Sequence, residues 1–132
     1  MSAQGDNFRN LAEVFDNMSE DAREAADRAK ADALKGLSDT GPLIAGLGAA
    51  TSNQERVDAV KALLDACKRK RDNAVQDIEN NDWPEDMIQA TIETIMETSG
   101  CHYLENLLTQ LQLVLNFELL REHFRGVATA FD

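Results

Sequence analysis

The apolar residues of the first quarter of the chain fall at Phe8, Leu11, Phe15, Met18, Ala22, Ala25 and Ala29, alternately three and four residues apart. A strand would bring every second side chain to one face, so this spacing selects a helix whose apolar stripe seeks a helical neighbour. It predicts one long helix over residues 7–37, with Asp6 or Asn7 capping the start. Asp39-Thr40-Gly41-Pro42 supplies the turn chemistry that ends it, and Ser19-Glu20-Asp21 offers an alternative cap that would split it in two. The second half is rich in alanine, from Ala22 to Ala33, which favours helix but offers little area to bury. A neighbour must come close there.

The same period recurs downstream. Ser52-Asn53-Gln54-Glu55 has capping-box spacing and opens a helix over 53–80, with Val57, Val60, Leu64, Cys67, Ala74 and Ile78 in its stripe. Asp82-Trp83-Pro84-Glu85 reads as a second box for a helix over 83–99, which carries Met87, Ile88, Ile92, Ile95 and Met96 and stops at Gly100. Residues 101–131 hold two overlapping stripes, Leu104, Leu108, Leu111 and Leu115, then Leu113, Phe117, Leu120, Phe124, Val127 and Phe131. They merge around most of the circumference, so this helix is surrounded either by its own fold or by a partner, and it reads as the central helix. The uncharged stretch LIAGLGAA, with two glycines, reads as an apolar linker over 41–51 or a weak helical turn. Short connections near Trp83 and Gly100 predict antiparallel neighbours. The expected fold is all-α: a single domain over residues 1–132, an elongated bundle of about four long, antiparallel helices.

Charge narrows the function classes. Among 132 residues, 13 Lys and Arg face 24 Asp and Glu, a net charge of -11, which repels nucleic-acid phosphates and anionic lipid. No direct nucleic-acid binding is expected. No run approaches the roughly 18 apolar residues of a membrane span. The polar start, Met1 to Asn7, lacks the pattern of a secretory leader, and two cysteines are too few for a disulfide framework. The expectation is a reduced, cytoplasmic protein.

Catalytic motifs are missing from the sequence. It contains no Gly-x-Gly-x-x-Gly, no Walker loop, no Gly-x-Ser-x-Gly and no Glu-x-x-His of the kind that holds two metal ions in a bundle. Cys101, His102 and Glu105 cluster at a helix start, where a thiol can become reactive, but they are too few for zinc. Cys67 falls on an apolar stripe, so both cysteines read as packing residues, with a Cys67 to Cys101 disulfide as the alternative in an oxidising compartment. The expectation is no enzyme, no cofactor and no metal.

Three features remain as candidates for contact. Between Arg71 and Arg121 there is no Lys or Arg, while seven acidic groups run from Asp77 to Glu97; Asp77, Asp86, Glu93 and Glu97 are the candidate docking acids, with a solvated surface as the plain alternative. Leu43, Ile44 and Leu47 lie in the expected linker, where exposed aliphatics mark a contact or fold down as a plug. Phe124 stands on the last stripe. The basic run Lys68-Arg69-Lys70-Arg71 reads as ion pairing with Asp65, Asp72 or acids elsewhere in the bundle. The leading expectation is a non-enzymatic acidic interaction protein, an adaptor, chaperone-like binder or small assembly subunit that meets a protein partner through helix packing and forms a homo-oligomer. The alternative is a nucleic-acid mimic that inhibits a DNA- or RNA-binding protein through the acidic 77–97 face. In composition the chain resembles small acidic helical chaperones and adaptors of secretion systems, a likeness carried by no motif.

Overall fold

The computed structural model describes residues 2–132, leaving Met1 outside it. The fold is all-α, with helices α1 (Ala3–Gly36), α2 (Gly41–Ala49), α3 (Asn53–Glu79), α4 (Glu85–Thr98) and α5 (Cys101–Ala130), and no strand among the described residues. At 34 and 30 residues, α1 and α5 are about 51 and 45 Å long, which makes the bundle elongated.

α1 and α5 lie antiparallel along their whole lengths. Arg9 meets Asp132 at 2.6 Å, Arg121 meets Asp16 at 2.7 Å, and Arg23 pairs with Glu118. At the far end the Tyr103 ring occupies the space a side chain at Gly36 would need. α3 packs antiparallel on the first half of α5, from Asn53 Nδ2, which donates to Glu118 at 2.6 Å, to Lys68 beside Glu105 at 3.3 Å. α5 is thus the central helix, in contact with both α1 and α3. The core gathers Ala26, Ala29 and Ala33 of α1, Val57, Val60 and Leu64 of α3, and Cys101, Leu104, Leu107 and Leu111 of α5.

The side of α1 that faces its neighbours takes in Ala22 and Ala29 of the apolar stripe but leaves Leu11 and Met18 exposed and Phe8 and Phe15 half-buried. Its buried residues are Gly5, Ala12, Ser19, Ala22, Ala26, Ala29 and Ala33. Five of them, Gly5, Ala12, Ser19, Ala26 and Ala33, recur every seven residues. Small side chains let α5 lie close along α1, so each helix covers the other's backbone. Ser19 is fully buried and donates its hydroxyl to the Asp16 carbonyl at 2.7 Å, which satisfies its polar atom within the helix.

Several local expectations are corrected. α1 starts a turn early because Ser2 Oγ accepts the Gly5 N–H at 2.9 Å, leaving Asp6 to pair with Arg9. It runs through Ser19-Glu20-Asp21 without a break. The expected linker over 41–51 is helical in α2, where Pro42 fits the first turn and Leu43 drops into the core, 1 % exposed. Tertiary docking overrides the weak propensity of its glycines. At α3, Ser52 Oγ accepts the Glu55 N–H at 3.1 Å as expected, but Glu55 accepts from the Thr51 N–H at 2.5 Å instead of closing the box on Ser52. That Thr51 backbone hydrogen bond is the main reason the Glu55 carboxyl sits below its usual range. At α4, Pro84 occupies the cap position with no side-chain hydrogen bond, so Asp82 does not cap it.

The connection at Gly100 does not reverse the chain. α4 packs on α3 alone, and its last turn lies beside the middle of α3, where Cys67 Sγ approaches the Ser99 carbonyl at 3.3 Å. α5 then continues along the other half of α3, so α4 and α5 follow one another with a joint between them and are not antiparallel neighbours. Gly100 makes the joint with φ 78°, and Leu37 Cδ2 would lie 2.7 Å from any β-carbon placed there. Two helix pairs therefore extend from the central bundle. The α3 and α4 pair runs out one way, and the first half of α1 with the last half of α5 runs out the other, beyond the start of α3.

Candidate interaction face

The second of these extensions has two unlike sides. On one side are the ion pairs of Arg9 with Asp132, Asp16 with Arg121, and Arg23 with Glu118. The hydrogen bond from Arg121 holds the Asp16 carboxyl below its usual range, and that from Arg9 does the same for Asp132. Burial pushes Glu118 upward, but the hydrogen bonds from Arg23 and Asn53, with the charges of Arg23 and Arg121, outweigh it and leave that carboxyl lowered. This side also meets the start of α3 through Asn53.

The opposite side is apolar. All five phenylalanines of the chain stand there in one stacked row: Phe131 to Phe8 at 5.4 Å between ring centres, Phe8 to Phe124 at 6.1 Å, Phe124 to Phe15 at 5.6 Å and Phe15 to Phe117 at 6.3 Å. α1 and α5 contribute to it alternately. Heptad spacing places Leu11 and Met18 beside Phe8 and Phe15 on α1, and Leu113, Leu120 and Val127 beside Phe117 and Phe124 on α5. Leu11, Met18, Leu113, Leu120 and Phe131 are exposed, and the other four rings are half-buried. Among the described residues no other helix covers this side: the helix pairs in contact are α1 with α5, α3 with α5, α2 with α3 and α3 with α4, and α3 lies across the ion-paired side.

Of the residues singled out from sequence, Phe124 lies in the middle of this row. Leu43 is a correction: it plugs the bundle and offers no contact surface. Ile44, on the same short helix, is 55 % exposed, and Leu47 is half-buried in an open groove of about 480 Å³ between α1, α2 and α5. Asp77, Asp86, Glu93 and Glu97 are exposed, and none forms an ion pair among the described residues. Asp86 accepts the Met87 N–H at 3.0 Å, so it serves the start of its own helix. The face formed by Phe8, Leu11, Phe15, Met18, Leu113, Phe117, Leu120 and Phe131 was not a sequence-level candidate beyond Phe124. Its signal was present in the α1 stripe and in the second stripe of α5, whose spacing shows that they pack on a neighbour and not which neighbour that is.

The cysteines come together. Cys67 Sγ and Cys101 Sγ lie 2.7 Å apart as free thiols at the joint between α4 and α5. Burial, followed by the Cys101 thiol, pushes Cys67 up to about 11, against smaller pulls from Arg71 and Lys70. Lys68 pairs with Glu105 across to α5, and Arg71 with Asp72 at 3.1 Å, so the basic run finds one partner in the bundle and one in its own helix. No three His, Cys, Asp or Glu side chains converge as metal ligands among the described residues, and no helix there is long and apolar enough to cross a membrane. Compared with known families and proteins, the chain matches no protein-family model, no curated protein and no solved structure.

Proposed function

We propose that this chain is a non-enzymatic interaction protein, an adaptor, chaperone-like binder or small assembly subunit that meets a protein partner by helix packing. One observation carries this: α1 buries its small side chains against α5 and leaves Phe8, Leu11, Phe15 and Met18 on a face that no other helix covers among the described residues. Contiguous apolar surface bordered by polar residues on a soluble bundle is the usual mark of a protein contact. The experiment is retention of bound protein on the immobilised chain at low and high salt. An apolar contact holds as salt rises, and Met18→Glu with Leu113→Glu removes it.

The second reading, mimicry of nucleic acid by the 77–97 face, draws support from four exposed carboxylates without cationic partners on an extension that only α3 supports. It makes the opposite forecast. Binding would fall steeply with salt, and Asp86→Asn, Glu93→Gln and Glu97→Gln together would weaken it while the face variants would not.

A further inference from the structure

From the apolar face we infer that its occupant is a second copy of this chain, and that two α1–α5 extensions pack face to face about a two-fold axis as a four-helix layer. The inference rests on the reading of that face as a docking surface and names its partner.

Charge is the first argument. Each chain carries -11, so two copies repel unless they meet where neither is charged. This face is such a place. Its rows are Phe8, Phe15, Phe117, Phe124 and Phe131 flanked by Leu11, Met18, Leu113, Leu120 and Val127, and the next positions outward are Asn7, Val14 and, at the inner end, Asp21 on α1 and Asn116, His123 and Ala130 on α5. No Lys or Arg stands on it and Asp21 only borders its inner end; Arg9, Asp16, Arg23, Glu118, Arg121 and Asp132 are gathered into ion pairs on the other side. A basic partner would find nothing here to pair with, whereas an identical surface would leave no charge buried.

Shape and area are the second. The ring row and its aliphatic flanks are apolar along both edges, so a half-turn brings apolar side chain against apolar side chain at every level, as an isologous contact requires. Residues 113–131 run about 27 Å along α5, and two helices side by side are about 20 Å wide, which gives on the order of 500 Å² per copy and about 1,000 Å² in total. That falls just below the roughly 1,200 Å² at which stable interfaces begin, within the range of weak contacts. It corresponds to a reversible dimer whose population depends on concentration.

The test is sedimentation of the full chain over a range of concentrations at low and high salt, with Nile red fluorescence as a reporter of open apolar surface. The expected result is a shift from one chain mass to two as concentration rises, at lower concentration when salt screens the net charge, with dye binding falling as dimer forms. Leu11→Glu with Leu120→Glu, both at exposed positions, should weaken dimerisation at least about tenfold with unchanged helical content. Ile44→Glu with Met96→Glu adds the same charge elsewhere and should leave the dimer intact. A dimer that survives Leu11→Glu with Leu120→Glu overturns the inference, as does a dimer equally weakened by the control pair. A chain that stays single but binds dye, and loses it on Leu11→Glu with Leu120→Glu, removes the second copy as occupant while the docking reading stands. A single chain that binds no dye removes both.

Discussion

Ser19 shows at the scale of one residue why hydrophobic strength and burial part company in α1. It is polar and fully buried, while Met18 beside it is apolar and exposed. What decides the matter is the distance to the partner helix: close approach along Gly5, Ala12, Ser19, Ala26 and Ala33 gains contact along both backbones, and a large side chain at those positions would push α5 away. Apolar spacing in the sequence identified the helix and the buried Ala22 and Ala29, but missed Gly5, Ala12, Ser19, Ala26 and Ala33, because it ranks side chains by affinity for an apolar environment and holds no information on how near the neighbour comes. Cys67 illustrates a second residue-level effect. With its thiol pushed to about 11 from the ordinary 9.0 by burial and by Cys101, the thiolate population at neutral pH is about 100-fold lower than for a free thiol. Alkylation at Cys67, followed by peptide mass mapping, should accordingly be slow at neutral pH and accelerate up to about pH 11. Reaction at the rate of an exposed thiol would show that the two sulfurs do not share a buried site.

At the scale of elements, helices with strong period and clear starts were legible, and those shaped by contact were not. α3 and α5 fall within a residue of their expected bounds, since a capping serine at Ser52 and a glycine at Gly100 punctuate them. α2 was read as linker because glycines and a proline lower helix propensity, yet docking of Leu43 beneath it compensates. The direction of the chain at Gly100 could not be read from loop length. A single left-handed residue can end one helix and begin another without a reversal, and only the continuous surface of α3 reveals which happens. Gly100→Ala should therefore lower stability by about 1–2 kcal/mol from backbone strain alone, with a further loss as Leu37 moves aside. Thermal unfolding measures this; an unchanged midpoint would mean that the joint is not left-handed.

The whole molecule is a central bundle with two extensions of opposite character. One, α3 with α4, carries unpaired carboxylates; the other, α1 with α5, separates its ion pairs from its apolar surface. The all-helical, elongated architecture was legible from composition and period. The separation of sides was not, because it depends on which stripe of α1 meets α5. The central claim is that α1 spends its small side chains on its own fold and leaves its large ones free, and equilibrium unfolding of paired variants tests it most directly. Measured in denaturant at concentrations low enough to keep copies apart, Met18→Gln should change stability by no more than about 0.5 kcal/mol, while Ser19→Leu and Ala12→Leu should each cost about 1–3 kcal/mol through overpacking. The reverse pattern, a large loss at Met18 with Ser19 and Ala12 tolerant of leucine, would place the large side chains in the core and contradict the account.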